Sequence, residues 1–467
     1  MNCIVLDVGK TNVKAAVVNS DGKLLEIQTT ATPTQQCQDY RAIDVDRIFA
    51  WFLDCLSQYS KQWQINKIIP VAHGAACVLI DENGELAFPM LDYEQAVPEK
   101  ISAEYERARP EYSKSLSPSL PSGLNLGRQL YWLSKAWPET FKNVKHILLY
   151  PQYWAWRLSG VLSSEITSLG VHTDLWCFPQ QDFSSLVKKE NWEGLFPEMQ
   201  HAWASIGKLR DDLAQQSGIT NACEVYCGVH DSNSALFPFI ANAMDRQTEF
   251  ALLSTGTWFI AMSPNAATDQ LDANRDCLAN IDVFGKPVAC SRFMGGREYE
   301  ILLGDYQRVD VDEAAICEVI QAQQYALPSF TTAGGPFPDF SAAICPDQNR
   351  TEVEQNAIGV LYLALMADVC LSLVSAQGDL IIEGPLTSNR SFCRLLAALR
   401  RPGSVYISEQ QYGVTQGAAA LAYWPETKPK LAGLAAIEPM LMDEMSAYKQ
   451  FWQQALTQQS SKQPAGV

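Results

Sequence analysis

The sequence predicts an α/β protein of two domains, and three observations carry that reading. The chain has 467 residues, and a single core stops growing at roughly 250–300 residues. Apolar runs of strand length alternate with stretches of helical spacing from one end to the other. Two strand–turn–strand segments of like layout, Ile4–Val18 and Glu249–Met262, stand far apart. That pairing suggests two similar domains facing one cleft.

The elements follow in order. Ile4–Leu6 is a short apolar run, Val8–Asn12 a turn and Val13–Val18 a second extended run. The turn signal Asn19-Ser20-Asp21-Gly22 leads into a third run, Lys23–Thr30, so the chain opens as a meander. Asp44–Ser60 has helical spacing, with Ile48, Phe49, Phe52, Leu53 and Leu56 on one face. Lys67–Ala72 is a buried strand ending at His73-Gly74. Val78–Ile80 and Glu85–Phe88 flank the turn Asp81–Gly84. Glu94–Leu124, polar and rich in Pro and Ser, is expected to be a surface excursion with at least one helix. Helices are expected near Leu126–Ala136 and Tyr153–Leu158, and a strand at Glu224–Cys227 precedes a helix at Ser232–Phe239. Downstream lie an apolar helix (Asn356–Val374), a strand (Asp379–Glu383), a helix (Ser391–Arg400), a strand (Val405–Ser408) and a small-residue helix (Val414–Tyr423). The Gln- and Ser-rich end from Gln458 is expected to fray.

Composition narrows the function. The net charge of −17 argues against nucleic acid and anionic membranes, which select clustered Lys and Arg. No run of about 18 apolar residues and no signal peptide is evident, so a cytoplasmic protein is expected. The 13 cysteines are scattered. The one close pair, Cys223 and Cys227, lacks further zinc-ligand spacing, and buried thiols are the simpler reading.

Two turns carry the chemistry. In Asp7-Val8-Gly9-Lys10-Thr11-Asn12-Val13-Lys14, Gly9 permits a sharp turn and close approach to a ligand, and turn amides make an anion nest. Thr11 and Asn12 add donors, Lys10 and Lys14 add charge, and Asp7 is suited to Mg²⁺ through water. An ordinary hairpin with surface lysines is the alternative. A P-loop is excluded, because Ile4 stands where its first glycine belongs and a strand follows Thr11. Ser254-Thr255-Gly256-Thr257 offers similar donors without charge. Asp231, in Gly228-Val229-His230-Asp231, ends a strand and could take a proton from a sugar hydroxyl, or simply cap a helix. His73 and Asp92 could bind sugar oxygens or be structural. Trp154, Trp156 and Trp176 could stack on a sugar, although packing is their commoner role.

The order of these motifs resembles the FGGY carbohydrate kinase family over about residues 1–430. DVGKTNVKAAV resembles its first phosphate motif, VAHGAACVLID and YPQYWAWRLSG its sugar-side segments, and SLGVHTDLWCFPQQDFS the segment that follows. GVHDSNSAL resembles its general-base segment, LLSTGTWFIAMSP its second phosphate motif, IIEGPLTSNRSFCRLL its nucleotide turn and GVTQGAAALAY its closing helix. The resemblance implies two ribonuclease H-like (actin-like ATPase) domains with an active-site cleft between them. The expected boundaries are 1–245, 246–430 and a C-terminal helix and tail at 431–467. It implies ATP and Mg²⁺, with Asp231 as base and Asp7 at the metal. Gly9, Lys10, Thr11, Asn12, Lys14, Gly256, Thr257, Gly296, Gly384 and Asn389 would meet the nucleotide. His73, Gly74, Asp92, Tyr153 and Asp231 would meet the sugar. Its shading is toward kinases of deoxyketoses such as L-rhamnulose or L-fuculose, and dimers are usual in the family.

Three departures stand out. Lys10 replaces a usual hydroxyl, so the turn is expected to grip phosphates by charge. Gln152 replaces an Asp. Pro385 follows Gly384 where a second glycine is usual, removing a donor. Rival readings are a non-catalytic sugar or nucleotide sensor, which would be expected to lose Asp7 or Asp231, and a chaperone-like ATPase, which would lack the sugar-side segments.

Overall fold

The computed structural model describes residues 1–460 apart from 220–221, 247, 332–333, 409–412 and 432. The chain forms two compact units. The first comprises Met1–Arg246, Ala279–Pro287 and Tyr412–Leu431, and the second Gln247–Leu278, Val288–Gln411 and Ala432–Val467.

The first unit is built on a mixed sheet of β1 (Asn2–Val8), β2 (Asn12–Asn19), β3 (Leu24–Ala31), β4 (Ile65–Ala72), β5 (Ser205–Lys208), β6 (Glu224–Tyr226) and β7 (Val229–His230). Its order is β5-β6-β4-β1-β2-β3, with β7 also on β4. β1, β2 and β3 form the expected antiparallel meander, whereas β4 lies parallel to β1, β6 and β7. Alternation along β1 separates two cores. Ile4, Leu6 and Val8 face one cluster with Ile48, Phe52 and Tyr59 of the helix Val45–Tyr59. Cys3 and Val5 face another, with Phe237, Ala241, Ala418 and Leu421. Asp44 caps the helix Val45–Tyr59 by accepting from the Arg47 amide at 3.0 Å, which fixes where it starts.

A second sheet repeats the plan with β8 (Phe250–Thr255), β9 (Phe259–Pro264), β10 (Cys277–Ile281), β11 (Pro287–Phe293), β12 (Asp379–Glu383), β13 (Val405–Ser408) and β14 (Leu434–Ala436). The order is β10-β11-β9-β8-β12-β13-β14. β8 and β9 are an antiparallel hairpin, and β12 and β13 continue from β8 in parallel. An antiparallel opening followed by parallel strands is common to both units, as the ribonuclease H-like expectation required.

Two expectations need correction. Glu85–Phe88 is no strand: it makes only an isolated bridge, Ile80 to Leu86, beside the turn. The 94–124 excursion holds the helices Glu99–Ala108 and Tyr112–Ser115, but Ser115, Leu116, Ser117 and Leu120 are buried. Its polar composition misled because nearby polar groups serve its backbone: Asn125 accepts from the Leu120 amide, and Arg128 donates to the Leu120 and Ser122 carbonyls. Among the described residues one helix, Glu352–Leu373, is long and apolar enough to cross a membrane, but 83% of its apolar window is buried inside the protein. The C-terminal helix Met445–Ser460 carries order through Gln458; residues 461–467 lie outside the described residues.

Candidate active site

The parallel register of the first unit gathers the candidate residues. Val8 of β1 and His230 of β7 both pair with Ala72 of β4. Gly9, His73 and Asp231 therefore follow three neighbouring strand ends, and the His73 amide donates to the Val8 carbonyl at 3.1 Å. Ligands of α/β sheets collect at such carboxyl ends. Asp7, one residue before the end of β1, lies opposite Lys14 on β2.

Asp231 opens the helix Asp231–Arg246 and keeps a third of its side chain exposed. Its Oδ1 accepts from the Ser232 amide at 2.6 Å and the Ser232 hydroxyl at 3.3 Å, with His230 Nε2 also at 3.3 Å. Burial raises its pKa above the usual carboxylate range, and His73, the Ser232 bonds and Lys14 pull the other way. Burial pushes His230 down to about 4, so that ring is neutral near pH 7. His73 Nδ1 lies 2.8 Å from the Gly74 carbonyl. A carbonyl only accepts, so Nδ1 carries the proton and Nε2 of the neutral ring is an acceptor, buried and without a protein donor. Gly74 itself lies under His230, 2.8 Å from its Nε2 to an added Cβ; it makes room for that ring.

Asp7 is buried and its Oδ2 accepts from Lys14 Nζ at 3.1 Å. Burial raises its pKa, Lys14 lowers it and Asp231 raises it further. Two carboxylates near the ends of strands on either side of β4, with Lys14 lowering the pKa of both, fit an added cation. Among the described residues no group of three acidic, histidine or cysteine side chains could hold a metal. Mg²⁺ commonly takes one or two carboxylates and fills its other positions with water and substrate phosphate. The first turn is braced: the Gly9 amide donates to the Asn12 carbonyl at 3.0 Å, and Thr32 donates to the Gly9 and Thr11 carbonyls. Thr11 and Asn12 are exposed.

Lys10 departs from expectation. Its Nζ bonds Asp92 and lies 3.3 Å from Glu94 and 4.7 Å from the Tyr93 ring centre. Carboxylates already hold the charge that was to grip phosphates. Asp92 departs too: its side chain is fully buried, bonded by Lys10 and by Arg41 Nε at 2.8 Å, so it anchors cations and is closed to a sugar. Tyr153 is 1% exposed in the core, accepting from Arg157 at 2.7 Å; Tyr150, one turn earlier, meets the His73 ring at 5.2 Å, as Tyr93 does at 5.4 Å. Trp154 packs against Phe49 and Trp176 against Phe183. Cys227 is buried and bonded to Ser163 at 3.6 Å.

In the second unit, backbone contact replaces charge. Gly256 and Thr257 turn between β8 and β9. An added Cβ on Gly296, in the first turn of the helix Gly295–Leu303, would stand 2.3 Å from the Gly256 carbonyl. Gly384 has φ +92°, and its Cβ would stand 2.0 Å from the Thr255 carbonyl; only glycine fits. Pro385 then opens the 3₁₀ turn Pro385–Ser388, where its missing donor costs nothing. Asn389 caps the next helix, accepting from the Phe392 amide at 3.0 Å. Its oxygen is thus already engaged.

Sequence reasoning missed Arg41, Tyr93, Tyr150 and the pair Glu165–Thr167. Thr167 donates to Glu165 at 2.5 Å and accepts from the His230 amide at 3.1 Å, bracing the residue before Asp231. Gln152 donates to the Cys227 and Gly228 carbonyls, a task an Asp could not do. No local motif marks these residues; Arg41 and Asp92 are 51 positions apart, Thr167 and His230 63, and Gln152 and Gly228 76.

Known proteins share this plan. Family models for the FGGY family of carbohydrate kinases, N-terminal domain, and for the carbohydrate kinase FGGY C-terminal domain match residues 2–238 and 247–430. An L-fuculokinase of Salmonella typhi is 28% identical over 275 residues, 57% of this chain and 57% of that relative's length. A rhamnulokinase of Enterobacter sp. is 29% identical over 218 residues, 43% of this chain and 40% of the relative. The chain thus spans 57% and 40% of the lengths of these two relatives. A crystal structure of a carbohydrate kinase from Novosphingobium aromaticivorans is 36% identical, covering 98% of this chain and 99% of its own, with a TM-score of 0.91. With both domain models matched in order and two like units each carrying a glycine turn, the chain belongs to the FGGY family of carbohydrate kinases.

Proposed function

We propose that this protein transfers the γ-phosphoryl group of ATP to a hydroxyl of a small sugar, with a ketose or deoxyketose such as L-fuculose or L-rhamnulose as substrate and the cytoplasm as its location. The observation that carries the reading is the register that brings Gly9, His73 and Asp231 to three adjacent strand ends with Asp7 beside them.

Asp231 accepts the proton of the sugar hydroxyl as its oxygen attacks the γ-phosphorus. The bond from that phosphorus to the β–γ bridging oxygen breaks, and ADP leaves. A raised carboxyl pKa makes Asp231 a stronger acceptor than an exposed aspartate. His73 Nε2 accepts a second sugar hydroxyl, directly or through water. Thr11, Asn12 and Lys14 serve the phosphates in the first unit. Gly256, Thr257, Gly296, Gly384 and Asn389 serve the nucleotide in the second, the last through its amide side or by shaping the turn. Asp7 would hold Mg²⁺, which when bound supplies positive charge for the transferring phosphoryl group.

The test is coupled ADP release over a panel of ketoses, aldoses and polyols. Sugar-dependent ADP release that Asp231→Asn abolishes supports the reading. Calorimetric sugar binding with no ADP release from any panel member overturns it in favour of a sensor.

A further inference from the structure

Lys10, Arg41, Asp92 and Glu94 form a closed ring of ion pairs in which each cation meets both carboxylates. Lys10 bonds Asp92 and lies 3.3 Å from Glu94, and Arg41 reaches Asp92 at 2.8 Å and Glu94 at 2.9 Å. The ring joins the first turn to two strands that pair in antiparallel register, Arg41–Ile43 and Met90–Leu91. Its buried member is Asp92; Lys10 is 20% exposed, Arg41 41% and Glu94 55%. Tyr93 links it to the catalytic end, its ring 4.7 Å from Lys10 Nζ and 5.4 Å from the His73 ring.

We propose that this quartet sets the substrate class: it admits a neutral polyhydroxy sugar and rejects sugar acids. The inference rests on the sugar kinase reading above and goes beyond it. Lys10 and Arg41 can give remaining N–H groups to sugar oxygens, and His73 Nε2 accepts a hydroxyl. Within the ring a substrate carboxylate finds no unmatched cation. One that approached the ring would meet Glu94, its most exposed member, and compete with carboxylates already in place, and like charges at that range are costly. Asp92, out of a sugar's reach, acts by keeping the two cations matched.

The test compares D-gluconate with the best neutral sugar of the panel, in wild type, Asp92→Asn and the half-exposed Glu94→Gln. Each variant leaves the ring with one surplus positive charge. The expected result is a rise of about tenfold in the gluconate to neutral-sugar ratio of kcat/KM in Asp92→Asn, weakened by added salt. Glu94→Gln, whose surface position spares folding, should raise the ratio about threefold, as befits a better screened charge. An unchanged ratio in the folded variants overturns the proposal, as does a wild type that uses gluconate as well as any neutral sugar; both leave the kinase reading standing. A wild type that phosphorylates neither class overturns both.

Discussion

The two glycine turns solve one problem by different means. In the first unit, β1 and β2 place Asp7 against Lys14, and the turn sends Lys10 into carboxylates. In the second, β8 and β9 carry no charged residue at the turn, and Gly256, Gly296 and Gly384 let backbones approach within distances that a methyl group would forbid. Charge in water-accessible surroundings can rearrange, whereas backbone apposition cannot. The first turn should therefore tolerate substitution with a change in preference, and the second should lose stability and nucleotide affinity.

The comparison breaks most visibly at the base. Asp231→Asn should lower kcat by about 10²–10⁴, the usual contribution of a general base, with the ATP Michaelis constant little changed. Nearly full turnover on the preferred sugar would remove Asp231 from the reaction. Next is Gly384→Ala, which forces a β-carbon into positive φ against the Thr255 carbonyl. Strain of about 1–3 kcal/mol should appear as a lower melting temperature and a raised ATP Michaelis constant. If both stay at wild-type values, close apposition is not what holds the second turn. Smaller again is Lys10→Thr, which restores the family's usual hydroxyl. With its charge spent on Asp92 and Glu94, the ATP Michaelis constant should stay within about twofold, while that of the sugar rises severalfold. A large rise for ATP alone would return Lys10 to the phosphates.

Much of this was legible in the sequence, for physical reasons that differ by region. The β1–β2 hairpin is specified locally, by an apolar run, a glycine turn and a second apolar run, and it forms as expected. The strand ends at His73 and Asp231 could be anticipated because apolar strands stop where a polar residue meets solvent. What the sequence concealed is where long side chains go. The charge of Lys10 in the first turn points to phosphates, yet it bonds Asp92, 82 positions away. Arg41 meets Asp92 only because Ala42 pairs with Leu91. The motif that holds Tyr153 points to a sugar ligand, and helix packing buries it. The polar stretch before Leu124 looked external because its hydrogen-bonding partners, Asn125 and Arg128, lie outside it.

The finest contrast between the units is how each braces the chain after its strand. In the second, Thr255 donates to the Glu383 main-chain carbonyl at 2.6 Å and accepts from the Leu386 amide. In the first, Thr167 accepts from the His230 amide and donates to the Glu165 carboxylate, fully buried and with one oxygen unpartnered. A carbonyl does not titrate, but Glu165 does: burial pushes it from 4.5 to about 7, against the pull of the Thr167 and Ser168 bonds. A carboxyl whose folded pKa is raised binds more protons folded than unfolded. Its cost is absent below about pH 4.5, grows as pH rises and is complete above about pH 7. Glu165→Gln removes that cost while keeping an acceptor for Thr167. At pH 8 the variant should be more stable by up to about 3 kcal/mol, the size of such a shift, and near pH 4.5 the difference should vanish. Thr255→Val should lower stability by a similar amount at both pH values, since its bond ends on a main-chain carbonyl. Denaturant titrations of the three proteins at both pH values decide it, and a Glu165→Gln effect independent of pH would mean that this carboxyl is already ionised throughout the range.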